Sequence, residues 1–408
     1  MTTFEFMTDS GYGADAQAEF YIPDAADCMR CGLCVNTCPT FKINPIAAET
    51  PRSRIRTIDN IINRNITVSG TELEHLNNCT QCRACEAICP SRMAYSELFD
   101  AARERLGTAG TLPATLGFKL IEHKCLLHAA SVLMKLYQKT GLQYVVRRTG
   151  LLKRLNVDKA EALLPDIDTS PLAKVYPATR PHRGCIALFT GCVGNHFDRK
   201  TLLASITLLN RIGYDVLVPS EQRCCGAIHQ HQGKTEITRR MADDNIRIFN
   251  AMNIDAIIYT ASGCGLMLHE YKQTFTHELS DITAFLGKHW PDNLHLKART
   301  GKVAVHEPCS QRNSLKNQQH VYDLLARIPE LSVIPLPENS LCCGAGGVHV
   351  LTHPDIAEPL RNAKINHFEQ SQAELLVTSN IGCALHLKTG LSQDKVIHPV
   401  VLMAAQLP

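Results

Sequence analysis

The chain has 408 residues, 45% of them hydrophobic and 20% charged. It is too long for one compact core and too apolar to be mainly disordered, so two or three packed domains are expected. The formal net charge of +3 gives no reason to expect a nucleic-acid partner, and no stretch reaches the roughly 18 consecutive apolar residues of a membrane-spanning helix. Eighteen cysteines then have to be placed. Residues Met1 to Ala26 lack the basic start and apolar run of a secretory signal. The thiols are therefore expected to be reduced, in the cytoplasm, and available to metal.

Residues 1–22 read as a flexible arm without clear periodicity. Gly11-Tyr12-Gly13-Ala14-Asp15-Ala16 superficially matches a dinucleotide fingerprint, but no strand precedes it, and the match is set aside. Residues 23–106 hold Cys28-x-x-Cys31-x-x-Cys34-x-x-x-Cys38-Pro39 and Cys79-x-x-Cys82-x-x-Cys85-x-x-x-Cys89-Pro90. Three cysteines at two-residue intervals wrap a turn around one [4Fe-4S] cubane, and the fourth reaches across to the other. On that logic Cys28, Cys31, Cys34 and Cys89 hold one cluster, and Cys79, Cys82, Cys85 and Cys38 the other. Zinc also takes Cys-x-x-Cys pairs, but it gains nothing from a doubled three-plus-one pattern. Between the runs, Pro51-Arg52-Ser53-Arg54-Ile55 reads as a loop whose arginines either balance anionic clusters or simply meet solvent.

Residues 107–182 read as a helical basic segment followed by a linker. Leu116, Leu120, Leu127, Met134 and Tyr137 recur at near-helical spacing. From Lys119 to Arg154 eight Lys and Arg face one acid, Glu122. Pro165, Pro171, Pro177 and Pro181 then mark an extended linker.

The rest is an internal repeat, 183–290 and 300–408. Cys192, Cys224-Cys225-Gly226 and Cys264 recur as Cys309, Cys342-Cys343-Gly344 and Cys383, with gaps of 31 and 38 residues against 32 and 39. In each copy short apolar strands (Ile186 to Thr190, Val216 to Pro219, Ala256 to Thr260; Val303 to His306, Val333 to Pro335, Leu375 to Thr378) alternate with helices. That pattern predicts parallel α/β layers with every motif cysteine just past a strand's C-terminal end. The expected fold class is therefore a mixed α+β and α/β multidomain chain: a helical bis-[4Fe-4S] ferredoxin domain, then two repeated α/β Cys-Cys-Gly domains with parallel sheets.

Vicinal disulfides are strained, so each adjacent cysteine pair is expected to face one metal centre. The glycines that follow are expected to let a bulky cofactor approach the backbone. Cys192, Cys224, Cys225 and Cys264 offer four thiolates for a third iron-sulfur cluster, and Cys309, Cys342, Cys343 and Cys383 four for a fourth. Zinc sites or redox-active thiols are the competing readings. His229, His231, His306, His349 and His386 adjoin the motifs, either as proton donors or as satisfied structural histidines. Cys125 and Cys185 stand outside every motif and are expected to be buried as small apolar residues.

Together, the doubled cysteine runs, Pro51-Arg52-x-Arg54-Ile55 and the two Cys-Cys-Gly domains resemble the iron-sulfur subunit of bacterial glycolate oxidase over nearly the whole chain. Ala261-Ser262-Gly263-Cys264-Gly265, Leu341-Cys342-Cys343-Gly344, Leu351-Thr352-His353-Pro354 and Asn380-Ile381-Gly382-Cys383 match best. The resemblance implies an electron-transfer subunit of a multi-subunit glycolate or lactate dehydrogenase. It would take electrons from a separate FAD-bearing subunit and deliver them towards membrane quinone, with peripheral contact at the cytoplasmic face of the inner membrane. No substrate dehydrogenation by this chain alone, and no named catalytic residue, follows. Subunits of anaerobic glycerol-3-phosphate dehydrogenase share the architecture with poorer local agreement. Heterodisulfide reductase shares the Cys-Cys-Gly domain, where the resemblance implies a fifth cysteine and a non-cubane cluster. This chain has Ala261 and Asn380 at that place, which weighs against disulfide chemistry and for conventional four-thiolate clusters.

Overall fold

The structure is a computed structural model that describes residues 27–64, 66–107, 112–155, 157–179 and 181–408. The expected arm, residues 1–22, and the discarded glycine motif lie outside the described residues.

The segment with the first eight cysteines is helical. Pro51–Ile62 is a helix, not the expected loop. Pro51 opens it at a position that needs no backbone N–H, and the Thr50 side chain accepts a bond from Ser53 N, 3.2 Å. Ile55, Ile58 and Ile62, spaced at helical period, bury against Leu98, Phe99 and Ala102 of the helix Tyr95–Leu106. Each such side chain contributes roughly 1.5–3 kcal/mol on burial. A reciprocal capping box between Ser69 and Glu72 starts the helix Gly70–Asn77.

The basic segment folds into helices Leu112–Glu122, Lys124–Lys139, Leu142–Thr149, Leu151–Arg154 and Asp158–Ala162. Leu120, Leu127, Met134 and Tyr137 are half-buried, as their spacing predicts, but Leu116 is exposed. A second apolar face, Leu126, Leu133 and Leu136, also stands in solvent.

Two parallel sheets follow. Among the described residues the strands are β1 Val175–Tyr176, β2 Gly184–Phe189, β3 Tyr214–Leu217, β4 Ala256–Tyr259, β5 Glu278–Asp281, β6 Gly301–His306, β7 Leu331–Pro335, β8 Leu375–Thr378 and β9 Val396–Ile397. The orders are β1-β3-β2-β4-β5 and β7-β6-β8-β9. Apart from the antiparallel edge strand β1, drawn from the expected linker, the two sheets repeat one topology. In each, the first repeat strand (β2 or β6) lies between the second and third, so the chain leaves it in two directions and opens a crevice at the strand ends.

Alternation along the strands divides the interior. Ile186, Leu188, Val303 and Val305 point into one continuous core shared by both sheets, filled by the helices Arg199–Arg211, Ile282–His289, Gln319–Leu325 and Pro399–Ala404. Ala187 and Phe189 face the opposite side with Cys224 and Cys225, and Ala304 does so with Cys343 and Cys383. The two α/β units are thus joined back to back through apolar packing, and each keeps its cysteines on its outer face.

Candidate functional site

Left-handed residues bend both ferredoxin runs: Arg30 (φ 55°) and Gly32 (81°) in the first, Gln81 (53°) and Arg83 (57°) in the second. The turns bring the sulfurs together in two sets. Burial, then the neighbouring sulfur of Cys28, followed by those of Cys31 and Cys89, pushes the Cys34 thiol up. Burial, then Cys82, Cys79, Cys38 and Cys34, pushes Cys85 well up. The spacing rule predicts two sets of four, and Cys85 stands near the first set as well as among its own neighbours. Converging thiols that oppose one another's ionisation make poor free anions and good ligands for a cation, which displaces their protons and screens their repulsion. Cys28, Cys31, Cys34, Cys85 and Cys89 line one pocket, against Met93 and Tyr95.

Arg54 and Arg52 have opposite roles. Arg54 is buried: Nε donates to His75 O (2.7 Å), Nη1 to Cys38 Sγ (3.5 Å) and Nη2 to Thr40 Oγ1 (2.8 Å) and to Glu49. Burial works against its charge, but Cys79, Tyr95, Cys38 and Glu49 raise its pKa above the usual arginine value. Glu49 is held in turn by His75 Nδ1 and Asn78 Nδ2, both at 2.6 Å. A buried, fully bonded guanidinium beside Cys38 is suited to an anionic cluster. Arg52 is exposed and donates to Arg30 O, 3.3 Å away.

In the first Cys-Cys-Gly copy, Cys192 follows β2, the Cys224-Cys225 pair follows β3 and Cys264 follows β4, at one end of the sheet. Cys192 Sγ and Cys224 Sγ are 3.2 Å apart. Hydrogen bonds from Cys192 and Cys225 pull Cys224 well below the usual thiol value, while Cys192 and Cys225 are pushed up. Asn245 Nδ2 donates to Cys224 O (3.1 Å) and Tyr271 Oη to Cys225 O (2.9 Å). Cys192 and Cys224 also line an open cleft with Ile121, Leu127, Lys124 and Arg223.

In the second copy Cys309, Cys342, Cys343 and Cys383 occupy the same places. Here a ring nitrogen of His306, Cys343 Sγ and Cys383 Sγ all lie within 4.8 Å of one another. His306 Nδ1 is 3.0 Å from Thr378 Oγ1, and Asn380 Nδ2 donates to Cys383 Sγ at 3.3 Å. Lys364 is fully buried, with Nζ donating to Glu338 O. Burial pushes its ammonium down to about 8, with Cys343 and Cys342 working in the opposite direction.

Gly226 and Gly344 have a different reason from the one expected. Both are left-handed (φ 89° and 90°). A Cβ would meet Thr238 Cγ2 at 2.8 Å in one and Ala357 O at 2.7 Å in the other, so it is the following helix that leaves no room. The turn also aims each glycine N–H at the first cysteine of the pair, 3.5 Å to Cys224 Sγ and 3.3 Å to Cys342 Sγ.

The second centre abuts the ferredoxin segment. Cys82 and Cys342 share a buried cluster with Ala84 beside Cys309, and a hydrogen bond with Cys342, then burial, pushes the Cys82 thiol well up. Asn313, in a π-helical turn Ser310–Leu315 behind Cys309, donates to Cys82 O at 2.8 Å. The two centres are also laced together: Ser262 N donates to Ser379 O (3.0 Å) and Gly263 N to Asn380 Oδ1 (3.3 Å).

Of the other motif histidines, His349 Nε2 donates to Asn78 O (3.0 Å) and His386 Nε2 to Ala357 O (3.1 Å), which makes both structural bonds. His229 is buried beside Glu122, 3.4 Å away, and His231 O accepts from Gln81. Cys185 is half-buried, but Cys125 is exposed, against expectation.

Comparison with known proteins follows this division. The model of the 4Fe-4S dicluster domain matches residues 24–93, the cysteine-rich domain matches 186–269 and 303–388, and the linker region of the glycolate oxidase iron-sulfur subunit matches 112–164. The glycolate oxidase iron-sulfur subunit of Escherichia coli is 30% identical over 386 residues, 88% of this chain and 89% of its own. A Bacillus subtilis protein named "Probable glycolate oxidase iron-sulfur subunit" is 30% identical over 398 residues, 90% and 89%. The chain belongs to the glycolate oxidase iron-sulfur subunit family. A lactate utilization protein A from Geobacillus is 26% identical over 230 residues, 52% of this chain and 96% of its own. Family membership makes iron-sulfur clusters the cofactor class and electron transfer the role, in line with the sulfur-rich sites. Among the described residues no helix is long and apolar enough to cross a membrane.

Proposed function

We propose that the chain is the electron-transfer subunit of a 2-hydroxy-acid dehydrogenase complex acting on glycolate or lactate, taking electrons from an FAD-bearing partner subunit and passing them towards membrane quinone. Cys28, Cys31, Cys34 and Cys89 would hold one [4Fe-4S] cluster and Cys79, Cys82, Cys85 and Cys38 the second. Cys192, Cys224, Cys225 and Cys264, and Cys309, Cys342, Cys343 and Cys383, would each hold a further one. Bound clusters supply reversible one-electron storage; the chain sets their order and their surroundings.

The observation that carries this reading is the contact of Cys82 with Cys342, which makes the ferredoxin segment and the second Cys-Cys-Gly centre neighbours without an intervening element. The Cys28 set lies at the opposite, exposed end, rimmed by the exposed apolar side chains of Met29, Leu33 and Ile88, and serves as the entry side. The cleft at Cys192 and Cys224 serves as the exit side. The exposed face Leu126, Leu133 and Leu136, beside Lys139, Arg147 and Arg148, is the surface for peripheral membrane contact.

The test uses the purified complex with its flavoprotein, mixed anaerobically with glycolate and then a quinone. The Cys192→Ser, Cys264→Ser double variant is expected to reduce its ferredoxin clusters at the normal rate and to lose quinone reduction at least tenfold. If this chain alone oxidised glycolate with a dye acceptor, the reading would be wrong.

A further inference from the structure

We propose that His306 is an iron ligand of the second Cys-Cys-Gly centre, joining Cys343 and Cys383, while the first centre is ligated by sulfur alone. The inference rests on the reading that the second centre holds iron.

Geometry comes first. Among the described residues, His306, Cys343 and Cys383 form the one trio of His, Cys, Asp or Glu donors whose ligand atoms all lie within 4.8 Å of one another, and all three are buried. One ring nitrogen also has an outer partner, as in a metal-bound imidazole. Thr378, opposite His306 in the β6 to β8 register, places Oγ1 3.0 Å from Nδ1. A proton on Nδ1 donated to that hydroxyl leaves the Nε2 lone pair for the metal, and an outer partner of this kind is what fixes tautomer and ring plane in histidine ligands.

The internal repeat supplies the control. β2 and β6 are both six residues long, and each ends three residues before its first motif cysteine, on Phe189 in one copy and His306 in the other. The strand partner of Phe189 is Tyr259, and that of His306 is Thr378. The fold therefore accepts a pair of aromatic rings without a nitrogen donor at this place, and the second copy has exchanged Phe189 for an imidazole and Tyr259 for a threonine whose hydroxyl reaches that imidazole. Burying an imidazole costs free energy unless both nitrogens find partners. Thr378 answers for one, and a metal held by Cys343 and Cys383 answers for the other. A neutral imidazole in place of a thiolate brings less negative charge to the cluster, so the second centre is expected to have a higher reduction potential than an all-sulfur one.

The experiment labels the full-length chain with 15N-histidine in a histidine auxotroph, assembles it anaerobically, and records nitrogen hyperfine couplings by pulsed electron paramagnetic resonance together with midpoint potentials. The wild type is expected to show a directly bound imidazole coupling that changes from the 14N to the 15N pattern on labelling and disappears in His306→Phe and His306→Cys. His306→Cys, which restores a ligand, is expected to keep wild-type iron content and to lower the potential of the second centre. Persistence of the coupling in His306→Phe, or an unchanged potential in His306→Cys, overturns the assignment. So does a wild-type centre with iron but no histidine coupling, and that result leaves the electron-transfer reading intact. If Cys383→Ser removes no iron, the second centre holds none, and both the assignment and that part of the functional reading fail.

Discussion

The two Cys-Cys-Gly centres are built on one scaffold and differ almost entirely in what faces the sulfurs. Strand order, cysteine placement and the left-handed glycine are common to both. Around the first centre stand Phe189, Asn245 and Ala261; at the corresponding places around the second stand His306, Lys364 and Asn380. The first opens into a cleft, and the second is enclosed against Cys82. Duplication has preserved the backbone and changed the electrostatics. A centre with a buried cation beside its sulfurs favours the electron more than one without, so the second centre is suited to hold charge inside the protein and the first to release it at the surface.

The largest expected effect comes from Asn245. Its side chain accepts from Arg223 N (2.7 Å) and donates to Cys224 O (3.1 Å), both next to the first cysteine pair. Asn245→Leu leaves the carbonyl and the amide unsatisfied, at about 1–3 kcal/mol each. The variant is expected to lose the iron of the first centre and to melt several degrees lower, while the second centre keeps its iron. Equal iron loss from both centres in elemental analysis and spectroscopy would remove the independence on which the contrast depends.

Next in size is Lys364, at the place of Asn245 in the second copy. Lys364→Met keeps the bulk and removes the charge beside Cys343 and Cys342. The midpoint potential of the second centre is expected to fall, with that of the first unchanged. Glu338 O also loses its donor, so Lys364→Arg is the control: it keeps the charge, and its potential is expected to stay closer to wild type. Redox titration of the three proteins side by side checks this.

Which parts of this were legible in the sequence follows from range. Cysteine spacing is a local constraint, because two-residue intervals wind a turn on any backbone, and the repeat gaps locate strand ends. The dicluster segment and the six principal strands were accordingly readable. The short edge strands β5 and β9 were not, since Glu278–Asp281 and Val396–Ile397 carry too few apolar residues to alternate visibly. Arg54 was read as one of two loop charges, although Thr50-Pro51 is a helix start and Arg54 falls between Ile58 and Ile61 on the buried side. The exchange of Phe189 for His306 was visible three residues before each motif cysteine, once the copies are superposed on those cysteines. The meeting of Cys82 and Cys342, 260 positions apart, leaves no local mark and had to come from the folded chain.

The smallest expected effect arises where the two units meet, at a histidine of the second unit that bonds a carbonyl of the first, and it sharpens the contrast by showing what does not distinguish the two centres. His398 starts the helix Pro399–Ala404 in a way that needs a neutral ring: Nε2 donates to Thr260 O (2.9 Å) and Nδ1 accepts from Val400 N (3.3 Å). Burial lowers its pKa to about 4, and burial lowers His386, in the same unit, to about 4 as well. In the unfolded chain each titrates near 6.5. Above pH 6.5 both states are neutral and stability is independent of these groups. Between about 6.5 and 4 the unfolded chain binds the proton and the folded chain does not, so stability falls with pH, by on the order of 3 kcal/mol per group at the lower end. Melting temperature is therefore expected to decline steadily from pH 6.5 to 4. His398→Gln is expected to flatten that decline by about half of what these two histidines contribute. A profile with the same slope in the variant would mean that His398 is already protonated in the folded chain.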